Sequence, residues 1–265
     1  MPNNTQSEDR DQSQTERNNE RSRPHNAKGF DQREQLFNSG DIGLISDVQV
    51  STERIVRSIG ILYDLDPKLY RPSSLLPTIP TEPAEFCAVV AKPWLSRHAV
   101  LNHLEVRNSG TGLHGILWFS EPVKFDSDQD RQRWAGIIQV VQAALPVDPD
   151  QPGITAVTRP VGSINSKNGA TVSILKSGAP VSHEDVLALY DEMRHAPFKT
   201  VMRILGGSDR LTPCPICGKD GSRLSAMDRV GQCYGSCGTV RLEQLYDAVL
   251  APRSTKKQEA DHVTA

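Results

Sequence analysis

No run of 18 apolar residues occurs in this chain of 265 residues, so nothing in it reads as a membrane-spanning helix. The first residues lack the apolar stretch of a secretory leader, and a cytoplasmic setting without membrane partners is therefore expected. A surplus of charge of one sign is also missing, since 30 Lys and Arg face 32 Asp and Glu for a formal net charge of -2. A molecule with no attractive field of its own can bind nucleic acid only through a local basic patch. Apolar groups are nearly missing from residues 1–40. There, only Met1, Ala27, Phe30, Leu36 and Phe37 interrupt eleven Asn or Gln, seven acidic and six basic residues. Such a segment buries too little to offset the entropy of ordering, and it is expected to be a disordered polar tail. No internal repeat is visible.

The remaining length suits one medium domain with an appendage, or two small domains. Hydrophobic spacing gives an α+β reading. Ser127 can cap a helix in which Trp134, Ile137, Ile138, Val141 and Leu145 share one face, with Pro146 as its stop. Ser182 can cap a second that carries Val186, Leu187, Tyr190 and Met193 and ends before Pro197. A third is expected from near Thr81 through Phe86, Val89 and Val90, and a fourth through Leu242, Leu245, Tyr246 and Val249. Strands are expected at His103–Arg107, Leu113–Phe119, Ile154–Thr158 and Thr171–Leu175, the first two joined by a Gly-rich turn. The domain reading is a core over 41–200, a zinc-binding module over 207–252 and a flexible tail over 253–265.

Cys214 and Cys217, then Cys233 and Cys237, make the pattern C-x2-C-x15-C-x3-C. Two short knuckles separated by a dozen or more residues can wrap one tetrahedral Zn²⁺, each offering a pair of thiolates from a tight turn. The bland alternatives are two disulfides or four unconnected thiols, and a reducing compartment favours metal over disulfide. Four filled positions leave no place for a reactive water, so such a zinc organises a fold. Cys87 lies in an apolar run and reads as a small core side chain.

Two central segments bear chemistry. Ser109-Gly110-Thr111-Gly112-Leu113-His114 sets a histidine on a strand just after a turn of small residues, where a phosphate could approach backbone N–H groups. A hairpin that needs its glycines and a solvent-facing histidine would look the same. Thr158 to Gly169 then offers Arg159, Asn165 and Lys167 in one loop, and no acidic residue lies between Gln151 and Ser182. That composition suits a polyphosphate or a nucleic-acid backbone.

The Ser-Gly-x-Gly-x-His turn, followed some 45 residues on by Arg-x-x-Gly-x-x-Asn-x-Lys, resembles the archaeo-eukaryotic primase superfamily, in its primase-polymerase and plasmid RepB-like branches, over roughly residues 60–180. The resemblance implies an RRM-like core in which carboxylates hold two Mg²⁺ or Mn²⁺ ions for nucleotidyl transfer and a histidine contacts the incoming nucleotide's phosphates. Carried onto this chain, it assigns the histidine role to His114, with Ser109, Gly110 and Gly112 shaping the turn. The D-x-D pair would be Asp64 and Asp66, although a helix from Thr52 ending in an Asp-Pro turn explains the same letters. The third carboxylate would be Asp148 or Asp150, and a plain Pro-Asp turn is the competing reading. The cysteine segment resembles the zinc modules of bacterial, phage and plasmid primases, with Cys217 where many of these have histidine.

The function so implied is template-directed nucleotidyl transfer by a DNA primase or polymerase. Single-stranded DNA and nucleoside triphosphates would be bound, and a helicase or other replication proteins would be partners. The rival is a catalytically inactive relative that keeps the fold and the zinc as a DNA-binding or replication-initiation protein; a third reading is an adaptor whose zinc module binds protein. The position of Asp64 relative to His114 separates the first two.

Overall fold

The computed structural model describes residues 55–148 and 150–251, all within one compact unit. The expected polar tails over 1–40 and 253–265 lie outside the described residues.

Four strands, β1 (Arg57–Leu65), β2 (Glu105–Asn108), β3 (Leu113–Lys124) and β4 (Ser173–Lys176), form an antiparallel sheet in the order β1-β3-β2-β4. Successive side chains of a strand point to opposite faces. Ile61, Tyr63 and Leu65 of β1 and Leu113 and Leu117 of β3 accordingly share one face and are almost wholly buried in the core. Asp64 and His114 fall on the other face.

Helices cover the apolar face. α1 (Pro83–Phe86) passes through a π-helical turn (Cys87–Ala91) into α2 (Lys92–Ser96). The wider turn stands just ahead of Pro93, which has no N–H to give and whose ring would press on the preceding turn of a regular α-helix. α3 (Asp128–Gln142) starts where the Ser127 hydroxyl accepts from the Asp130 N–H at 3.1 Å. Its Val141 carbonyl accepts from the buried Tyr63 hydroxyl at 3.1 Å, which fixes α3 against β1. α4 (His183–His195) begins with a reciprocal cap between Ser182 and Asp185.

α5 (Pro197–Gly206) follows at once, because Pro197 ends one helix and its fixed φ suits the first turn of the next. In the sequence this proline reads only as a stop. β5 (Arg210–Leu211), β6 (Leu224–Ala226), β7 (Gly231–Cys233) and β8 (Gly238–Val240) make a second antiparallel sheet in that order, and α6 (Leu242–Asp247) follows it. Phe198 of α5 lies so close under Gly231 that a Cβ there would stand 2.4 Å from its ring. The small sheet is thus packed onto the helices of the core.

The helices begun by Ser127 and Ser182 start where their caps place them. One expectation is corrected, and one alternative falls. Ile154–Thr158 is not a strand but part of a turn and an extended crossing. The edge of β1 that it could have joined is instead closed by glutamine side chains. Asp64 belongs to a strand, so the alternative of a helix end at that position falls.

Candidate functional site

The ladder sets Asp64 opposite His114 and His114 opposite Arg107, a row across β1, β3 and β2 on the face away from the helices. Asp66 comes two residues after Asp64, just past the strand. Its carboxylate accepts from the Lys68 N–H at 3.0 Å and caps a single 3-10 turn (Pro67–Leu69). Gly112 backs onto it, since a Cβ there would lie 3.2 Å from the Asp66 Cα. Asp148, on the loop after α3, accepts from the Asp150 N–H at 2.9 Å. Burial pushes the Asp64 carboxyl up to about 6, with the negative charges of Asp66 and Asp148 adding to the shift. The three carboxylates therefore share one electrostatic neighbourhood. Among the described residues, however, the cysteines are the only group of three or more metal-ligating side chains gathered closely enough to grip one ion.

Two glutamines that carry no signal of their own in the sequence hold this edge. Gln142 of α3 donates to the Leu62 carbonyl at 2.7 Å, and Gln151 accepts from the Asp64 N–H at 2.8 Å. Each takes the place of a strand neighbour that β1 lacks on this side. Gln151 also ties the Asp148 loop to the strand that carries Asp64.

The cationic loop lies over the other end of the row. His114 Nδ1 is 2.6 Å from the Thr158 hydroxyl. Burial first, then the guanidinium charges of Arg159 and Arg107, lower its pKa to about 4, so the imidazole is neutral at pH 7. Arg107 is almost wholly buried, pairs with Glu105 at 2.6 Å and donates to the Arg159 carbonyl at 3.1 Å. The Ser109 carbonyl accepts from Asn165 Nδ2 at 2.7 Å and from Arg159 Nη1 at 3.5 Å. Lys167 gives its N–H to Asn165 Oδ1 at 3.0 Å and leaves its side chain exposed. Gly110, at φ 119°, takes a conformation that L side chains avoid, and a Cβ there would lie 2.3 Å from the Asn165 amide. Ser109, Gly110 and Asn165 thus clamp the two loops together, while Arg159 and Lys167 supply the charge. Arg107 and Thr158 were missed. Counting outward from the 109–112 turn would have found Arg107, since the hairpin register alone pairs it with His114.

The cysteines converge from two turns. The four sulfurs lie within 4.8 Å of one another, with Cys214 to Cys237 at 4.0 Å and Cys217 to Cys233 at 3.9 Å. A tetrahedral zinc with bonds of about 2.3 Å would separate its sulfurs by about 3.8 Å. The cluster could hold a metal ion such as zinc, and its all-sulfur donor set fits zinc well. The N–H of Lys219, the Ser222 hydroxyl and the N–H of Ser236 lower the Cys217 thiol to about 5, as a ligand thiolate requires. Burial and the neighbouring thiols push Cys237 up, the repulsion that a shared cation would relieve. A Cβ at Gly235 would stand 3.4 Å from both the Cys217 and Cys233 sulfurs, so a glycine lets the second turn close over them.

No family model matches the chain, and no curated protein matches it. Among solved structures it is similar to the AEP domain of the primase-polymerase (PrimPol) of cyanophage S-2L, with 16% identity and a TM-score of 0.35 over 53% of this chain. The match spans 64% of that domain. No helix among the described residues is long and apolar enough to cross a membrane.

Proposed function

We propose that this protein carries out template-directed nucleotidyl transfer as a DNA primase or polymerase, with an RRM-like core over 41–200 and a zinc module over 207–252 that holds single-stranded DNA. The observation that carries the reading is the ladder row that sets Asp64 opposite His114, with the charges of Asp66 and Asp148 acting on Asp64. The three carboxylates offer the hard oxygen donors that Mg²⁺ or Mn²⁺ prefers, and burial, with the charges of Asp66 and Asp148, raises Asp64 as expected of a group that a cation would relieve. Bound there, the ions would activate the attacking hydroxyl and neutralise charge on the transferring phosphoryl group. His114, neutral and anchored on Thr158 through Nδ1, would contact the nucleotide's phosphates through its other nitrogen. Arg159 and Lys167 supply positive charge beside it, on loops clamped by Ser109, Gly110 and Asn165.

A specific observation favours the rival reading of an inactive, zinc-containing DNA-binding relative. Asp66 and Asp148 each cap a local turn, a structural task that needs no metal. Dinucleotide synthesis on single-stranded templates with Mn²⁺ decides between the two. The parent should incorporate nucleotides, and Asp64→Asn with Asp66→Asn should abolish incorporation while leaving metal in the cysteine cluster. A parent that is inactive on several templates, and is not stabilised by Mn²⁺, leaves the inactive relative.

A further inference from the structure

The pairing of β6 with β7 extends past both strand ends, because Met227 donates to the Val230 carbonyl at 2.8 Å and Tyr234 donates to the Arg223 carbonyl at 2.7 Å. In such a ladder alternate residues share a face. Leu224 and Cys233 are buried inward, so Arg223 and Met227 of one strand and Gln232 and Tyr234 of the other point outward. Arg210 joins this face from β5, where it opposes Ser225, and Thr239 joins it from β8, where it opposes Gln232. The inward face already rests on Phe198 of α5. The outward apolar groups are therefore not part of the core: Tyr234 is 57% exposed and Met227 is 52% exposed. The Arg223 guanidinium lies 4.5 Å from the centre of the Tyr234 ring. No acidic residue occupies an outward ladder position on β5 to β8, and Asp209, next to Arg210, is held by Arg203.

An exposed aromatic ring steadied by a guanidinium, amid arginines and a primary amide, is complementary to unpaired bases on a phosphate chain. Base faces are open in a single strand and hidden in a duplex. We propose that this outward face binds single-stranded DNA, with a base stacked on Tyr234 and its neighbour against Met227. Arg210 and Arg223 meet the phosphates and Gln232 meets base edges. The choice of DNA rests on the function proposed above, while the platform itself is carried by the ladder and the exposure.

The test is fluorescence anisotropy with a labelled oligo-dT and the zinc-loaded full chain, across a salt series and with zinc content measured for each variant. Tyr234→Ala should weaken binding at least about 5-fold and Tyr234→Phe should leave it intact, as expected for stacking. Arg210→Glu should weaken binding and flatten its salt dependence. Parental affinity in zinc-loaded Tyr234→Ala overturns the proposal, as does equal affinity for a duplex. A response to Arg210→Glu without one to Tyr234→Ala also overturns it, because charge alone would then account for binding. Should Tyr234→Ala lose zinc, Arg210→Glu and Gln232→Ala carry the test, and unchanged affinity in both overturns the platform. Anisotropy reads this face without catalysis, so a parent that makes no dinucleotide but loses affinity in Tyr234→Ala keeps the platform and loses only the chemistry proposed above.

Discussion

Asp64 and His114 face each other across one ladder step, and both are held in their uncharged forms more firmly than in water. Their effects on stability have opposite signs. Below about pH 4 Asp64 is protonated in the folded and unfolded chains alike. As pH rises toward 6 the unfolded carboxyl ionises while the folded one resists, so its cost appears over that window. His114 resists protonation until about pH 4, whereas an unfolded histidine takes its proton near its ordinary value of 6.5. Its contribution is full above that value and is lost as pH falls through the window. The two slopes should largely cancel in the metal-free parent. Asp64→Asn should be more stable than the parent at pH 7 by on the order of 1 to 2 kcal/mol and should lose that margin toward pH 4. His114→Gln should lack the loss on acidification. Urea unfolding at a series of pH values reads both, and parallel profiles for parent and variants would mean that neither group is desolvated.

At the scale of elements, the strand that carries Asp64 has only one strand neighbour, and its outer edge is finished by side chains. Gln142 reaches from α3 to the buried Leu62 carbonyl, two residues before Asp64. Gln142→Leu keeps most of the volume but leaves that carbonyl without its donor, which should cost about 1 to 3 kcal/mol. The loss should appear as a lower urea midpoint with an unchanged slope, together with faster exchange of the Asp64 amide once the edge loosens. A variant as stable as the parent would show that water replaces the glutamine at no cost. Caps act on the same scale: Ser182 and Asp185 satisfy each other's backbone donors and fix where α4 starts. Pro197 then lets α5 begin with only Ala196 between it and the end of α4.

On the scale of the molecule, the cysteine module is joined to the core rather than tethered to it. Phe198 fills the space under Gly231, the Tyr246 hydroxyl donates to the Ala143 carbonyl, and Ala251 donates to the Leu69 carbonyl at 2.7 Å. The purified protein should carry about one zinc per chain, and Cys214→Ser should lose it. Chelation should expose the amides of β6, β7 and β8, because thiolates so crowded repel without a cation. The loosening should extend into α5, which supports that sheet, while β1 and β3 stay protected. Hydrogen exchange with and without chelator distinguishes these outcomes. Exchange rising equally in β1 would make the molecule one cooperative unit.

The local chemistry of the chain was enough to place the cysteine knuckles, the Ser127 and Ser182 helix starts and the turn before His114. Each rests on neighbours within a few residues: spacing for the metal, a hydroxyl three residues before an amide, glycines where backbones approach. The same locality left Asp64 between a strand and a helix end, since the letters around it satisfy both. Only pairing with β3 settled it, by setting Asp64 beside His114, 50 positions away. Tertiary structure also decided against Ile154–Thr158 as a strand, because β1 met its edge requirements with Gln142 and Gln151. It brought in Arg107 and Thr158, whose importance comes from what crosses above them. It also turned Tyr234 and Met227 from incidental residues of a cysteine-bearing segment into one outward face, which follows from a ladder register that spacing along the chain does not encode.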